Sequence, residues 1–304
     1  MIIKRKKVNS LLDTSVEVQR TPSQEKFHRI AKRTKNFLKK YGRLMIGGVI
    51  IAVVVFCSIF APLLTDQDPT LVVLANSKRL PDAEHILGCD QYGRDIWARL
   101  LYGSRTTLLV VIGAQLVSVV GGTVLGLLCG YYRKVEKILM RILEGFATIP
   151  NLLLCLMMVS IFGAGTINLI LAMSIGSIPG CARIVRSQVL SLKEKEYIES
   201  EMAMGASDAR TMFLHILPSC ISFLIVRVTT GLSGSMLSIT SLSYLGLGLD
   251  PLIPSWGGEI QQAQAYMFTV PHMVLYPALA ICITIFGFSM LGDGVRDLLD
   301  PKLR

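Results

Sequence analysis

The sequence predicts an all-α, polytopic membrane protein with six transmembrane helices. Three observations carry that expectation. Of its 304 residues 52% are hydrophobic and only 17% charged, against about 25% charged in soluble proteins. The formal charge of +10 is confined to one end: residues 1–43 hold thirteen Lys/Arg and three acids, and the remainder balances to zero. Long uncharged runs then recur along the chain, separated by short charged segments. A uniformly basic nucleic-acid binder has no such distribution, so no nucleic-acid partner is expected. A basic tail beside a first span follows the positive-inside bias. With few aromatics, residues 1–43 read as a solvated mobile arm, the alternative being a tail laid against the anionic headgroups of membrane lipid.

The first span is Leu44–Leu64, an uncharged run that ends in Ala61-Pro62 and satisfies the ~20 residues a bilayer core requires. Thr106–Tyr132 supplies the second. No charge occurs from Gly145 to Ala182, enough for two spans with Gly163-Ala164-Gly165-Thr166 as the turn between them. The third is expected to begin near Ile138, with Arg141 and Glu144 paired at its mouth. The fifth runs from about Pro218 to Leu242 and the sixth from about Met273 to Leu291. Pro150, Pro179 and Pro277 fall inside spans, where proline is tolerated as a kink.

Orientation follows from the basic residues. With the N-terminus in the cytoplasm, the tail, the turn at 129–137, the segment 183–215 and the C-terminus hold 13, 3, 5 and 3 of the 31 Lys/Arg. Only 65–105 departs from the bias, with five basic residues against six acids. Both ends are therefore expected inside. The seven cysteines and four histidines are scattered, with no CxxC pair, so neither a disulfide framework nor a metal site is expected.

Between the fourth and fifth spans lies SLKEKEYIESEMAMGASDARTMFLHILP, Ser191 to Pro218. Ser191 with Glu194 has capping-box spacing. Gly205 stands where a helix would end, since glycine takes the left-handed turn without steric cost. Ser207 and Asp208 suit the start of a second helix, and Leu217-Pro218 its close. This helix–turn–helix on the positive side is suited to being gripped by a cytoplasmic partner.

No P-loop, GxSxG, HExxH or paired-carboxylate cluster occurs, so an enzyme has little to recommend it. Transport is the leading class. A carrier driven by an ion gradient would be expected to place ionisable groups in mid-membrane. The spans offer essentially Arg227 alone, which favours energy supplied from outside the chain.

EYIESEMAMGASDARTMFLHILP resembles the EAA loop of permease subunits of bacterial ABC importers: EAA, three residues, Gly, nine residues, Ile, any, Leu-Pro. Glu199-Ser200-Glu201 stands for EAA, Gly205 is the glycine, His215 takes the Ile place and Leu217-Pro218 closes the motif. HILGCDQYGRDIWARLLYGSRTTL, Pro179-Gly180, SLSYLGLGL, PSWGGEI and LGDGVRDLLDPKLR are similar to the dipeptide/oligopeptide/nickel permease family, in its C-type subunit. The resemblance covers nearly everything after Arg43. It implies a type I ABC importer permease fold that forms a heterodimer with a second permease subunit. It also implies two ATP-binding subunits carrying ATP and Mg, and an extracytoplasmic substrate-binding protein; the chain itself would hold no cofactor and have no catalytic residue. The organisation is then a basic tail (1–43), a first span with an extracytoplasmic segment (44–105), and a five-helix core (106–304) with the coupling loop at 187–218. In that loop Tyr197, Ile198, Met202 and Met204 are expected to plug an apolar groove of the ATPase. Glu199 would meet a basic residue or support the loop. Ser200 and Glu201 depart from the two alanines, adding a charge that implies a matched ATPase.

Two further groups are candidates. Asp90, Arg94, Asp95 and Arg99 form either a docking surface for the binding protein or a lid held by internal ion pairs. In the fifth span Arg227, Gly231, Ser235 and Ser238 share a face that either packs on another helix or lines the translocation path. Arg227 lies roughly 14 Å along the helix from Pro218 at 1.5 Å per residue and could attract a peptide carboxylate. Trp256 suits an interfacial anchor or a stacking surface. The expected cargo is short peptides, with nickel or a metal chelate as the rival within the family and an independent secondary carrier as the rival outside it.

Overall fold

The computed structural model describes residues 22–299, with side chains from residue 41 onward. Contacts divide the chain into Met1–Gly42 and Arg43–Arg304. Among the described residues the regular structure is helical apart from an isolated Cys89–Asp95 bridge. The principal helices are α1 (Pro22–Ile59), α2 (Ile96–Tyr131), α3 (Arg133–Ala147), α4 (Asn151–Phe162), α5 (Thr166–Lys193), α6 (Glu196–Ala203), α7 (Asp208–Tyr244), α8 (Trp256–Ala263) and α9 (His272–Leu299).

The second half of the tail expected through residue 43 has regular backbone structure. The backbone is helical from Pro22, a residue pre-set for a first helical position by its fixed φ. Residues 1–21 lie outside the described residues.

Tyr41–Ile59 of α1 and all of α2, α5, α7 and α9 are each long and apolar enough to cross a membrane. The third expected span is different. Instead of one helix from Ile138, α3 and α4 meet at an angle of 89°. Pro150 is the cause: proline pushes the residue before it out of the helical region, and Pro150 itself is extended at ψ 129°. α3 is amphipathic, burying Met140 and Leu143 while Lys134, Lys137 and Arg141 stay exposed. Arg141 and Glu144 do not pair; Glu136 instead accepts from Arg186 of α5. The twelve residues of α4 span about 18 Å at 1.5 Å each. The turn at Gly163 occurs where expected, with φ +82°.

α2 begins ten residues before the uncharged run, because the charges in its first turns have partners. Asp95 caps it, its Oδ2 accepting from the Ala98 amide at 2.7 Å. Arg105 donates to the Ser58 and Ile59 carbonyls at 2.5 and 2.6 Å, satisfying oxygens orphaned at the end of α1.

α2 and α5 form the central pair. Gly122, Gly126 and Gly130 recur every four residues along α2, and a Cβ on each would lie 2.5–2.6 Å from the Cβ of Cys181, Val185 and Val189 respectively. This small-residue groove lets the two backbones approach closely. α1 packs on α9 in the same way, with Gly47 against Leu291 and Gly294 against Leu44. One apolar core joins Val110, Val111, Met173, Met236, Leu242, Trp256 and Ile281. A second gathers Leu127, Val185, Val189, Ile198, Met212 and Ile216 at the other end of the α2–α5 pair. Ile46, Val49, Val53, Leu109, Leu116 and Val120 remain exposed, as expected of surfaces that face lipid or another membrane subunit.

Candidate functional site

The elbow between α5 and α7 is built from the residues its sequence advertises, with changed boundaries. Ser191 lies inside α5 and Glu194 ends it, so the expected capping box does not form. α6 starts at Glu196 after Lys195, which gives no side-chain cap. Its far end follows the sequence: Gly205 has φ +86°, its amide donates to the Met202 carbonyl (3.1 Å), and the Ala206 amide donates to the Glu201 carbonyl (3.2 Å). These two bonds make a Schellman closure, for which the left-handed glycine is the natural hinge. Ser207 caps the next helix, its hydroxyl accepting from the Arg210 amide at 3.4 Å.

Leu217-Pro218 does not close that helix. α7 continues through it to Tyr244, and Thr211–Ile216 forms a π-helical turn just before the proline. Proline removes one helical bond and its ring crowds the carbonyl four residues earlier. A wider turn upstream accommodates both, and the helix carries on.

Ile198 is fully buried among Val189, Leu192 and Ile216. It anchors α6 to the bundle and cannot enter a groove on a partner. Tyr197, Met202 and Met204 are exposed, Met204 at 82%, as is Glu199. Ser200 donates to the Glu196 carbonyl within α6 at 2.7 Å. Glu201 faces inward: its Oε1 lies 2.7 Å from His215 Nε2 and 3.8 Å from Arg210 Nε. The His215 approach is close but out of line for a hydrogen bond, so it is a charge contact when the imidazole is protonated. Two of the three departures from the EAA pattern, Glu201 and His215, therefore face each other. Tyr197, Glu201, Met204, Gly205, Arg210 and His215 line an open cleft of about 530 Å³.

Sequence reasoning missed the residues that hold this elbow to α2. Tyr131 and Tyr132 donate from their hydroxyls to opposite oxygens of Asp208, at 2.9 and 3.0 Å. Lys193 donates to the Tyr131 carbonyl at 3.0 Å and lies 4.7 Å from its ring centroid. The available signal was an adjacent tyrosine pair in a turn on the positive side, but the partner lies 76 residues away in sequence.

The outer acidic–basic group is corrected as a docking surface. Asp90, Arg94, Asp95 and Arg99 are all 5% exposed or less and spend their charges inside. Arg99 donates to Glu259 (2.8 Å) and to the Pro69 and Pro251 carbonyls. Arg94 donates to Asp90, Gln262 and Pro251. Asp95 also faces His85 Nδ1 at 2.9 Å. The group staples the 65–95 segment and the 250–262 segment onto the start of α2. Trp256 likewise is no interfacial anchor: it is buried, and its indole N–H donates to the Leu100 carbonyl at 2.9 Å.

In α7, Gly231 is closed by the Gln115 side chain. Gln115 donates to the Arg227 carbonyl (3.2 Å) and accepts from Ser235 (3.1 Å). Ser238 is half-buried. Arg227 has no ion-pair partner among the described residues, and its Nε is buried without a hydrogen bond. Its guanidinium sits in a narrow niche with Cys181, Gln188 and Cys220, beside Gly180.

Residues 122–304 match the family model described as the binding-protein-dependent transport system inner membrane component. The chain is similar to the glutathione transport system permease protein GsiD of Pectobacterium atrosepticum, at 44% identity over 74% of this chain and 75% of that protein. It is 37% identical to the dipeptide transport system permease protein DppC of Alkalihalophilus pseudofirmus, over 88% of each chain. A putative peptide transport system permease protein of Brucella abortus is 33% identical over 89% of this chain and 92% of that protein. Taken with the helical membrane bundle and its elbow, these matches place the chain in the family of binding-protein-dependent transport system inner membrane components, the permease subunits of ABC importers.

Proposed function

We propose that this chain is one of two permease subunits in an ATP-driven importer of di- and oligopeptides, spanning the cytoplasmic membrane with both termini inside. Peptide cargo is supported by the relatives, which are named for glutathione, dipeptide and peptide transport; none of these is named for nickel. ATP and Mg belong to two separate ATPase subunits, and an extracytoplasmic binding protein delivers the peptide.

The observation that carries the mechanical part is the elbow: a short helix closed by Gly205, rooted at Ile198, with Tyr197, Glu199, Met202 and Met204 turned outward. A rooted helix transmits displacement, whereas a free loop would absorb it. In this reading Tyr197, Met202 and Met204 enter the ATPase cleft and Glu199 meets a basic side chain there. Ser200 faces the contact from within its own helix. Glu201 orders the cleft through His215, while Leu217 and Pro218 pass motion into α7.

Two variants test it. Gly205→Val forces a β-branched residue into the left-handed region, and Glu199→Lys reverses an exposed charge. Each is expected to cut co-purification of the ATPase roughly thirtyfold, the size of a hot-spot loss of about 2 kcal/mol, while the chain stays membrane-inserted. Undiminished ATPase retention in both, or proton-driven uptake by the isolated chain, would overturn the reading.

For the path, we propose that Arg227 and Ser238 face the moving peptide, and that Gly231 and Ser235 hold the wall by seating Gln115. A cation in a membrane span without a counter-ion among the described residues calls for one from elsewhere, and a peptide carboxylate supplies it. Arg227→Gln is expected to lower uptake about tenfold, the equivalent of one charge-assisted bond, with ATPase retention unchanged. Parental uptake by that variant would remove Arg227 from the path.

A further inference from the structure

Chain connectivity joins the elbow directly to only two long helices, α5 before it and α7 after it. A third connection is made across space. Asp208 is the first residue of α7, and each of its carboxylate oxygens accepts from a different tyrosine of the α2–α3 corner. Tyr131 is the last residue of α2, and Tyr132 is the single extended residue before α3 begins, at φ −107° and ψ 108°. The two rings meet edge to face with centroids 5.0 Å apart, so neither hydroxyl turns away without disturbing the other. The Tyr131 hydroxyl also lies 3.9 Å from Met202 Sδ, on the outward helix of the elbow. Lys193, the last residue of α5, also bonds the Tyr131 carbonyl.

Three features give this knot a mechanical meaning. Hydrogen bonds to a carboxylate are roughly twice as strong as neutral ones, and two from one carboxylate fix direction as well as distance. A phenol keeps its proton at neutral pH, and the bond to Asp208 pushes that of Tyr132 further above its ordinary range, so the contact is lost only as alkaline pH rises through that raised value. The corner is short: one non-helical residue separates α2 from α3, and Pro150 bends the chain again seventeen residues beyond the start of α3, so beside the Lys193 bond and the Arg186–Glu136 pair to α5 the Asp208 bonds are what tie it to α7.

We infer that Tyr131, Tyr132 and Asp208 are positioning residues of the importer, coupling the elbow to the α2–α3 corner so that ATPase closure moves α2 and α3 together with α5 and α7. This rests on the proposed docking of the elbow and adds the route by which its motion spreads. Without the knot, the elbow would still seat in the ATPase, but its displacement would reach α2 through the Lys193 bond and the glycine groove against α5 and, deeper in the membrane, through Gln115 against α7, with no direct tie from the start of α7 to the α2–α3 corner.

The test uses the assembled importer, with its partner permease, ATPases and binding protein, in proteoliposomes, reading peptide taken up per ATP hydrolysed. The combined Tyr131→Phe and Tyr132→Phe variant removes both hydroxyls and leaves the rings. It is expected to retain the ATPases and hydrolyse ATP within about twofold of the parent, while uptake per ATP falls by at least about tenfold, the equivalent of even one bond to a charged group. Asp208→Asn, whose carboxamide still accepts one hydroxyl and donates to the other, is expected to fall between parent and double variant. A parental ratio in the double variant overturns the inference, as does a parallel fall of uptake and hydrolysis. If the double variant does not assemble, each single variant is read by the same ratio, and parental values in both overturn it. The docking proposal fails on a separate observable, ATPase retention by the Glu199 and Gly205 variants, so the two failures are distinguishable.

Discussion

Arg99→Met is expected to cost about 3–5 kcal/mol, the range for removing one member of a buried ion pair, which is a large fraction of a typical 5–15 kcal/mol of total stability. Arg99 is fully buried, Glu259 nearly so, and their closest atoms are 2.7 Å apart. The guanidinium also holds the Pro69 and Pro251 carbonyls, so the substitution orphans a carboxylate and the Pro69 oxygen together, while Pro251 keeps its bonds from Arg94 and Gln262. The expected observation is a collapse in the yield of folded protein and a large fall in its thermal midpoint in detergent. Adding Glu259→Leu should recover much of the loss, because an apolar pair avoids leaving a buried charge alone. A single Arg99→Met variant with the parental midpoint would show the outer staple to be dispensable.

Gly126→Leu is expected to part the central helix pair. A Cβ there already lies 2.6 Å from Val185 Cβ and 2.7 Å from the Ala182 carbonyl, and the rest of a leucine side chain has nowhere to go. Overpacking costs about 1–3 kcal/mol where the core can adjust. Here backbone opposes backbone, so the loss is expected at or above the top of that range. Gly145 is the matched control, with nothing within 4 Å of its Cβ position. Gly145→Ala should be neutral or gain up to about 1 kcal/mol of helix propensity. Thermal unfolding of the two variants side by side checks the contrast, and equal midpoints would refute the close-packing account.

The membrane architecture was legible where hydropathy and sterics act locally. Long apolar runs gave α5, α7 and α9 their locations, and Gly163 and Gly205 marked turns that a side chain would strain. A lid held by internal ion pairs was among the alternatives and is what forms, but the start of α2 was misplaced because a hydropathy window treats every arginine as solvated. Arg99 and Arg105 instead find partners 160 and 47 residues away, which extends α2 well beyond its uncharged stretch. Pro150 and Pro218 look alike in sequence yet act oppositely. The first follows the helix end at Ala147 and begins a new direction, whereas the second is absorbed by a π-helical turn. In the elbow, Tyr197 and Ile198 are neighbours with opposite fates, since helical rotation turns one to solvent and buries the other.

The abrupt corner at Pro150 also bears on what surrounds this subunit. A helix some 18 Å long cannot reach both headgroup layers of a hydrocarbon slab about 30 Å thick. Lipid could meet it only by thinning, at a penalty that grows with every ångström of shortfall. That side of the bundle is therefore poorly matched to bulk bilayer, and a neighbouring protein wall or a water-filled passage suits it better.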